Sequence, residues 1–168
     1  FHTGLKKRKI DLTNRIKLKK LISSIKPDLI INCIGFTNIE ECEKNPNISK
    51  KINVEIVREI FKIKNKEQIN FKFIHISTDQ FYNQKKENSS SENSKIFLMN
   101  KYCKHKRMAE IICSNNHALI FRTNFFGKSI SKNLSFSDWI FEAFKSGKKI
   151  NLFNDVYFNP LRITTIAK

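Results

Sequence analysis

The chain has 168 residues and a formal net charge of +17, from 32 Lys and Arg against 15 Asp and Glu. This length is sufficient for one hydrophobic core, so a single domain is predicted. The charge would suit a nucleic acid, but the densest basic run, residues 6–9, has no interleaved aromatic side chains on which bases could stack. Lys, Asn, Ile and Phe are all abundant and all have A/T-rich codons, so base composition accounts for the excess of Lys. No nucleic-acid partner is therefore predicted.

The cysteines indicate a reducing compartment and no metal site. The four thiols, at positions 33, 42, 103 and 113, form no Cys-x-x-Cys pair and no zinc-like spacing with a histidine. No apolar run approaches the roughly 18 residues of a membrane-spanning helix, and no signal peptide is visible. We therefore predict a cytoplasmic protein with neither a metal ion nor a membrane segment.

Apolar periodicity in the first half of the chain predicts alternating strands and helices. This alternation is typical of a parallel sheet with helices on both faces. The predicted elements are a short strand end at 10–12, a helix at 16–25 that stops before Pro27, a strand at 29–34 that is buried on both faces, and a helix at 48–63 that contains Asn53.

The second half continues the same alternation. Its predicted elements are a buried strand at 71–76 that ends in the turn Ser77-Thr78-Asp79, a helix at 101–113, a strand at 118–122, a helix at 136–144 and a short strand at 149–153. The stretch 83–94 is rich in Ser, Asn, Lys and Glu, which predicts a loop. This loop lies either over a substrate or on the surface as an ordinary connection.

Three polar residues predict a site for proton transfer. Tyr102 and Lys106 are four residues apart in the predicted helix, so both side chains lie on one face. A phenol has an unperturbed pKa of about 10, and a neighbouring ammonium group would stabilise its anion. Thr78 follows a strand, and ligands of open α/β sheets bind outside the carboxyl ends of strands. Its hydroxyl could donate to the same substrate oxygen, which predicts carbonyl reduction or alcohol oxidation.

Several segments, in order and spacing, resemble the extended short-chain dehydrogenase/reductase family. The resemblance is greatest to its branch of dTDP-4-dehydrorhamnose reductases. The matching segments are IDLT at 10–13, PDLIINCIGFT at 27–37, INV at 52–54, HISTD at 75–79, the Tyr102/Lys106 pair, FRTNFFG at 121–127 and NP at 159–160. The resemblance covers nearly the whole chain and implies a doubly wound, Rossmann-like α/β fold.

The resemblance implies a role for each residue of the predicted site. Tyr102 is the expected general acid, and Lys106 is expected to lower its pKa and to hydrogen-bond the nicotinamide ribose. Thr78 is expected to orient the substrate carbonyl. Asp79 and Phe125 are expected beside the sugar, with Phe125 either stacked on the substrate or packed as an ordinary core residue.

The implied cofactor is NADPH or NADH. Asp11 and Leu12 match the segment that approaches the adenine ring, where the Asp11 carboxylate either accepts from the exocyclic amine or caps a helix. Ile34, Gly35 and Phe36 match the strand end that runs beneath the cofactor. Asn32 and Asn53 are expected to be structural residues that tie strand and helix together.

The glycines bear on how much of the domain the 168 residues contain. Glycine occurs only at positions 4, 35, 127 and 147, which cannot form the glycine-rich turn of a dinucleotide-binding fold. We therefore expect the first βα unit and the later part of the substrate-binding lobe to lie outside this sequence. Residues 1–168 are predicted to form a partial NAD(P)-binding domain, with about 124–168 beginning the substrate-binding lobe.

The predicted activity is reduction of a nucleotide-linked 4-keto-6-deoxy sugar for surface polysaccharide. Gln80 follows Thr78-Asp79 where sugar-nucleotide dehydratases carry a second carboxylate, which disfavours water elimination. Two alternatives remain open: an epimerase with tightly bound NAD, and a non-catalytic regulatory subunit resembling the beta subunit of methionine adenosyltransferase. The expected partner is a nucleotide sugar, and a homodimer is open.

Overall fold

The computed structural model describes residues 10–82, 90–128, 135–152, 154 and 159–168. The chain divides into two compact units. The first comprises Phe1–Ser77 and Leu98–Phe121, and the second comprises Thr78–Phe97 and Arg122–Lys168.

The first unit contains a parallel sheet of three strands in the order β1-β2-β3. The strands are β1 (Leu29–Asn32), β2 (Lys72–Ile76) and β3 (Leu119–Phe121). Strand β1 ends two residues earlier than predicted, because the Asn32 side chain turns back and accepts from the Ile34 amide at 3.2 Å. The prediction of an α/β fold with a parallel sheet is confirmed.

One helix precedes β1, and further helices connect the three strands. They are α1 (Arg15–Ile25), α2 (Ile39–Lys44), α3 (Pro46–Lys50), α4 (Ile56–Lys66) and α5 (Lys101–Ser114). The helix predicted at 48–63 is longer than expected and contains a π-helical segment, Lys51–Glu55, between α3 and α4. The sequence analysis missed α2, which begins where the Asn38 side chain accepts from the Glu41 amide at 2.9 Å.

The hydrophobic core lies on one face of this sheet. Phe73 of β2 packs there among apolar side chains of α1, α4 and α5, including Leu18, Ile60 and Ala109. On the opposite face Ile31 is 55% exposed, and Leu29, Leu119 and Phe121 are also exposed. The prediction that the strand at 29–34 is buried on both faces is therefore wrong among the described residues. Exposed and more buried residues alternate along these strands because successive side chains of a strand point to opposite faces of the sheet.

The second unit contains a short parallel pair, β4 (Phe125–Phe126) and β5 (Leu161–Arg162), with the helices α6 (Phe136–Lys145) and α7 (Ile163–Ile166). Helix α6 begins with a capping box, in which Ser135 and Asp138 satisfy each other's backbone amides. The Ser135 hydroxyl also donates to the Gly127 carbonyl at 3.1 Å, which ties the helix to the end of β4.

Two short predicted strands are absent. Residues 10 and 11 are irregular and the chain turns at 12–13, where the Thr13 amide and hydroxyl both donate to Asp11 Oδ1, at 2.9 and 2.7 Å. Local hydrogen bonding of this kind competes with extended structure. Residues 149–152 are irregular, and Phe153 lies outside the described residues. Of the predicted loop at 83–94, residues 83–89 lie outside the described residues, and the remainder contains a turn in which the Ser94 amide donates to the Ser91 carbonyl.

Candidate active site

Helix α5 carries Tyr102 and Lys106, which are both buried with 7% and 3% of their surface exposed. The helix starts at the predicted place because the Asn100 side chain accepts from the Cys103 amide at 2.8 Å. The Lys106 ammonium donates to the carbonyl of Ile76, at the end of β2, over 2.7 Å. This contact joins α5 to the carboxyl end of β2, the middle strand, after which the sequence predicts the proton-transfer site.

Burial sets the charge of Lys106. Removal from water lowers the pKa of its amine to about 8, against the opposing pull of Glu110 and of the thiols of Cys113 and Cys33. Glu110 is fully buried one helical turn further on, and Arg107 donates to it at 2.8 Å. Lys106 is thus mostly protonated at neutral pH but loses its proton far more readily than a surface lysine.

His75 of β2 lies beside this lysine and is fully buried. Its Nδ1 is 3.0 Å from the side-chain nitrogen of Asn32 in β1, and its Nε2 is 3.4 Å from Lys106 Nζ. Burial and, next, the charge of Lys106 lower the pKa of this imidazole to about 3, while Glu110 opposes them. The ring is therefore neutral at physiological pH. It links β1, β2 and α5 through side chains alone.

The backbone that follows β1 is held by one side chain. Asn53, in the π-helical segment, accepts from the Phe36 amide at 2.9 Å and donates to the Phe36 carbonyl at 3.0 Å. Asn53 also donates to the Ser49 hydroxyl at 3.2 Å. Asn53 thus ties the backbone after β1 to a helical segment, as predicted, whereas the hydrogen bonds of Asn32 run to His75 of β2 and to the Ile34 amide. Residues 34–36, predicted to run beneath a cofactor, are thereby fixed at the carboxyl end of a parallel strand.

A side chain at Gly35 would crowd Thr37, which would have to shift by a few tenths of an ångström. A β-carbon built there would lie 3.2 Å from Thr37 Cγ2 and 3.7 Å from Asn53 Oδ1. The glycine is exposed, so its backbone is open to a bound molecule. This openness is what close approach of a dinucleotide to a strand end requires.

Asp11 and Leu12 precede helix α1. Asp11 is exposed, and its pKa is lowered by hydrogen bonds from Thr13. The N-cap of α1 is Asn14, which accepts from Lys17, so the capping role left open for Asp11 is wrong. Leu12 is partly buried and lines a small cavity with Lys51 and other residues of α1, α4 and the π-helical segment.

Thr78 and Asp79 belong to the second unit. Thr78 is 4% exposed, and its hydroxyl accepts from the Gln80 amide at 3.2 Å. Burial raises the pKa of the Asp79 carboxyl, and a hydrogen bond from the Asn124 side chain opposes that shift. Asp79 therefore holds its proton to a higher pH than an ordinary carboxyl group does.

Phe125 lies in β4 with half of its surface exposed. The reading of Phe125 as an ordinary core residue is therefore not supported by the described residues. Arg122 precedes it and donates to the Tyr82 hydroxyl at 2.8 Å and to the Glu92 carbonyl at 3.0 Å.

Sequence reasoning missed four polar residues of the first unit: His75, Glu110, Ser49 and His105. The Ser49 hydroxyl lies 2.8 Å from His105 Nδ1, which extends the Asn53 network onto α5. The sequence could have indicated Glu110, because it follows Tyr102 and Lys106 at the same four-residue spacing on one face of the helix. His75 and Phe73 are the buried positions of β2 and alternate with exposed or partly buried residues, which places His75 on the core face.

Among the described residues, no three His, Cys, Asp or Glu side chains are grouped as ligands of a metal ion. Nor does any helix in the described ranges have the length and apolar character needed to cross a membrane.

A family model described as the RmlD substrate binding domain matches residues 2–168. The chain belongs to this family. Two curated relatives of this RmlD-type chain are similar over 94% of its length. They are the probable low-salt glycan biosynthesis reductase Agl14 of Haloferax volcanii, 26% identical over 163 residues, and the dTDP-4-dehydrorhamnose reductase of Shigella flexneri, 25% identical over 159 residues. The chain covers 54% and 52% of their lengths, so it spans about half of each.

Solved structures share the fold of this RmlD-type chain. A hypothetical dTDP-4-dehydrorhamnose reductase from Sulfolobus tokodaii matches 99% of the chain with a TM-score of 0.84 and 26% identity, over 59% of its own length. RMD from Pseudomonas aeruginosa, complexed with NADPH, matches 84% with a TM-score of 0.71 and 21% identity, over 51% of its length. The latter likeness shows the fold alone.

Proposed function

We propose that the protein to which these 168 residues belong reduces a keto sugar carried on a nucleotide, with NADPH or NADH as the reductant. The proposed reaction is of the dTDP-4-dehydrorhamnose to dTDP-rhamnose type, and the proposed setting is cytoplasmic synthesis of a deoxysugar for surface polysaccharide. The observation that carries this proposal is the buried Tyr102 and Lys106 pair on α5, in a chain of the RmlD family.

The backbone that follows the carboxyl end of β1 suits a bound nicotinamide dinucleotide. When bound, this cofactor supplies the hydride. The exposed Gly35, with Ile34 and Phe36 held by Asn32 and Asn53, offers a fixed backbone that a planar molecule can approach closely. On the basis of the family resemblance, we propose that the segment of Asp11 and Leu12 contacts the adenine end of the cofactor. The buried Lys106 amine is proposed to contact the nicotinamide ribose.

The proposed proton donor is Tyr102. Lys106 carries a positive charge at neutral pH, since its pKa is about 8. On the same helix face as Tyr102, this charge favours the phenolate that remains after the proton has moved to the carbonyl oxygen. Lys106 is itself held in place by the Ile76 carbonyl, so the charge is delivered at a defined position.

The proposed substrate contacts come from Thr78, Asp79 and Phe125. The hydroxyl of Thr78 already accepts a backbone hydrogen bond, which leaves its proton available for donation to a carbonyl oxygen. Asp79 is a partly buried carboxyl group suited to a sugar hydroxyl, and Phe125 offers an exposed aromatic face. These roles rest on the family resemblance together with the burial of each side chain.

The test measures oxidation of NADPH or NADH by the intact protein with dTDP-4-dehydrorhamnose, followed by the loss of reduced-nicotinamide absorbance. Tyr102→Phe removes the proposed acid and is expected to lower kcat by about 100-fold or more. Tyr82→Phe is the matched control: it removes a phenol that accepts from Arg122, and we expect it to keep most of the activity.

Three results would contradict the proposal in different ways. NAD that copurifies with the protein, with interconversion of sugar epimers and no net oxidation of NADPH, would identify an epimerase. Cofactor binding without any turnover of sugar nucleotides would favour the regulatory subunit. Equal activity of Tyr102→Phe and the unmodified protein would refute the role of the phenol.

A further inference from the structure

The strongest unassigned feature is the chain of buried polar contacts from Asn32 through His75 to Lys106. We propose that His75 is a positioning residue for Lys106, held by Asn32 as the tautomer with its hydrogen on Nε2, so that this N–H faces the lysine amine and favours its uncharged form. The inference rests on the proposed function for its catalytic consequence, but the contacts themselves are independent of it.

The tautomer follows from the orientation of the Asn32 amide. Asn32 Oδ1 accepts from the Ile34 amide at 3.2 Å, so this atom is the oxygen, because a nitrogen there would oppose another donor. The other terminal atom is therefore the nitrogen, and it lies 3.0 Å from His75 Nδ1. Since this nitrogen can only donate, Nδ1 must accept and carries no hydrogen. The hydrogen of the neutral ring is then on Nε2.

The Nε2–H group has Lys106 Nζ as its neighbour at 3.4 Å. An ammonium group has three hydrogens and no lone pair, so it meets the Nε2–H donor to donor. An uncharged amine has a lone pair that can accept this hydrogen and still donates to the Ile76 carbonyl. The arrangement therefore disfavours the ammonium form, in the same direction as burial, which lowers the pKa of Lys106 to about 8.

Other groups around Lys106 act on its charge from several elements. Glu110 on α5 favours the ammonium, as do the thiols of Cys113 on α5 and Cys33 after β1. Tyr102 lies one turn before Lys106 on α5. Glu110 and the two cysteines therefore pull towards the charged amine, whereas His75 on β2 opposes it.

The consequence for the proposed reaction is an upper pH limit. The ammonium form stabilises the Tyr102 anion and the uncharged amine does not, so activity is lost as Lys106 deprotonates. His75 brings this loss to lower pH than burial alone would. In this proposal His75 affects the acidity of Tyr102 only through the charge of Lys106 and does not contact the substrate.

The first measurement uses the unmodified, intact protein. Nitrogen NMR of uniformly labelled protein distinguishes the two ring tautomers, and the His75 signals are assigned by their loss in His75→Asn. We expect hydrogen on Nε2 and none on Nδ1 at pH 7. Hydrogen on Nδ1 would overturn the proposal, whatever any variant does.

The second measurement follows the titration of Lys106 by carbon NMR of lysine labelled at Cε, assigned with Lys106→Met. In His75→Asn, the shorter amide can still accept from Asn32 at the former Nδ1 position, but no N–H reaches Lys106. We expect the pKa of Lys106 to rise by about one pH unit, the scale of one buried hydrogen bond. His117→Asn is the matched control, because His117 is exposed at φ 52, a backbone conformation that Asn tolerates.

The same variants are then compared in the pH profile of carbonyl reduction. We expect the alkaline limb of kcat in His75→Asn to move to higher pH by the same amount, with His117→Asn unchanged. An unshifted Lys106 pKa in His75→Asn would overturn the inference. A shifted pKa in a protein without reductase activity would uphold the inference and refute the proposed function instead.

Discussion

Acid should destabilise the first unit through His75. The imidazole has an ordinary pKa of 6.5 and a pKa of about 3 in the fold, because it is fully buried beside Lys106. A group whose folded pKa is depressed binds its proton more readily in the unfolded chain. The free energy of unfolding therefore falls as the pH falls below 6.5, and the loss is complete near pH 3.

The size of this effect follows from the two pKa values. One pKa unit corresponds to about 1.4 kcal/mol, so at pH 5 the unfolded imidazole gains about 2 kcal/mol over the folded one. The full loss near pH 3 is about 5 kcal/mol. Lys106 does not contribute in this range, because its pKa of about 8 leaves it protonated in both states.

The assay is urea unfolding of the intact protein at pH 7 and pH 5, followed by helical circular dichroism. The unmodified protein and His117→Asn should each lose about 2 kcal/mol more than His75→Asn between these pH values, since other carboxyl and imidazole groups cancel in the comparison. An equal loss in all three proteins would refute the argument that His75 is buried in its neutral form.

Two further substitutions test how the candidate site is supported. Asn53→Ala removes the partners of the Phe36 amide and carbonyl, so we expect a loss of about 2–4 kcal/mol in urea unfolding and a weaker NADPH affinity by titration. Asn47→Ala, at an exposed position of α3, provides the control, and unchanged NADPH affinity in Asn53→Ala would contradict the proposed cofactor site. Gly127→Ala would place a β-carbon 2.9 Å from Ile163 Cγ2, so we expect the second unit to become more susceptible to limited proteolysis; a digestion rate equal to that of the unmodified protein would show that Ile163 moves aside without cost.

Local sequence signals predicted the elements that carry the proposed acid. The spacing of Tyr102 and Lys106 depends on a single helix. Helix α5 begins at the predicted residue 101 and ends at Ser114, one residue after the predicted end. The strand around Phe73 was predicted for a similar reason, since its apolar run is continuous in the chain. Helix and strand periodicities are properties of neighbouring residues, so a single sequence contains them.

Local sequence patterns mispredicted the strands where a side chain hydrogen-bonds the backbone two residues away and so determines the backbone conformation. Asp11 turns the chain by accepting from Thr13, so apolar residues on either side do not form a strand. Asn32 ends β1 early in the same way, by accepting from Ile34. Such bonds involve short polar side chains that also occur within strands and helices, so the residue type alone does not reveal them.

The sequence by itself determined the parallel α/β class, the helix that carries Tyr102 and Lys106, and the role of Asn53 in tying a helical segment to the backbone after β1. Only the tertiary structure decided that His75 lies between Asn32 and Lys106, which are 43 and 31 residues away from it along the chain. Only the tertiary structure, too, showed which face of the sheet is buried in these residues. The physical reason is that burial and charge at Lys106 arise from packing β1, β2 and α5 together, and no pattern within one element specifies the groups that another element brings to it.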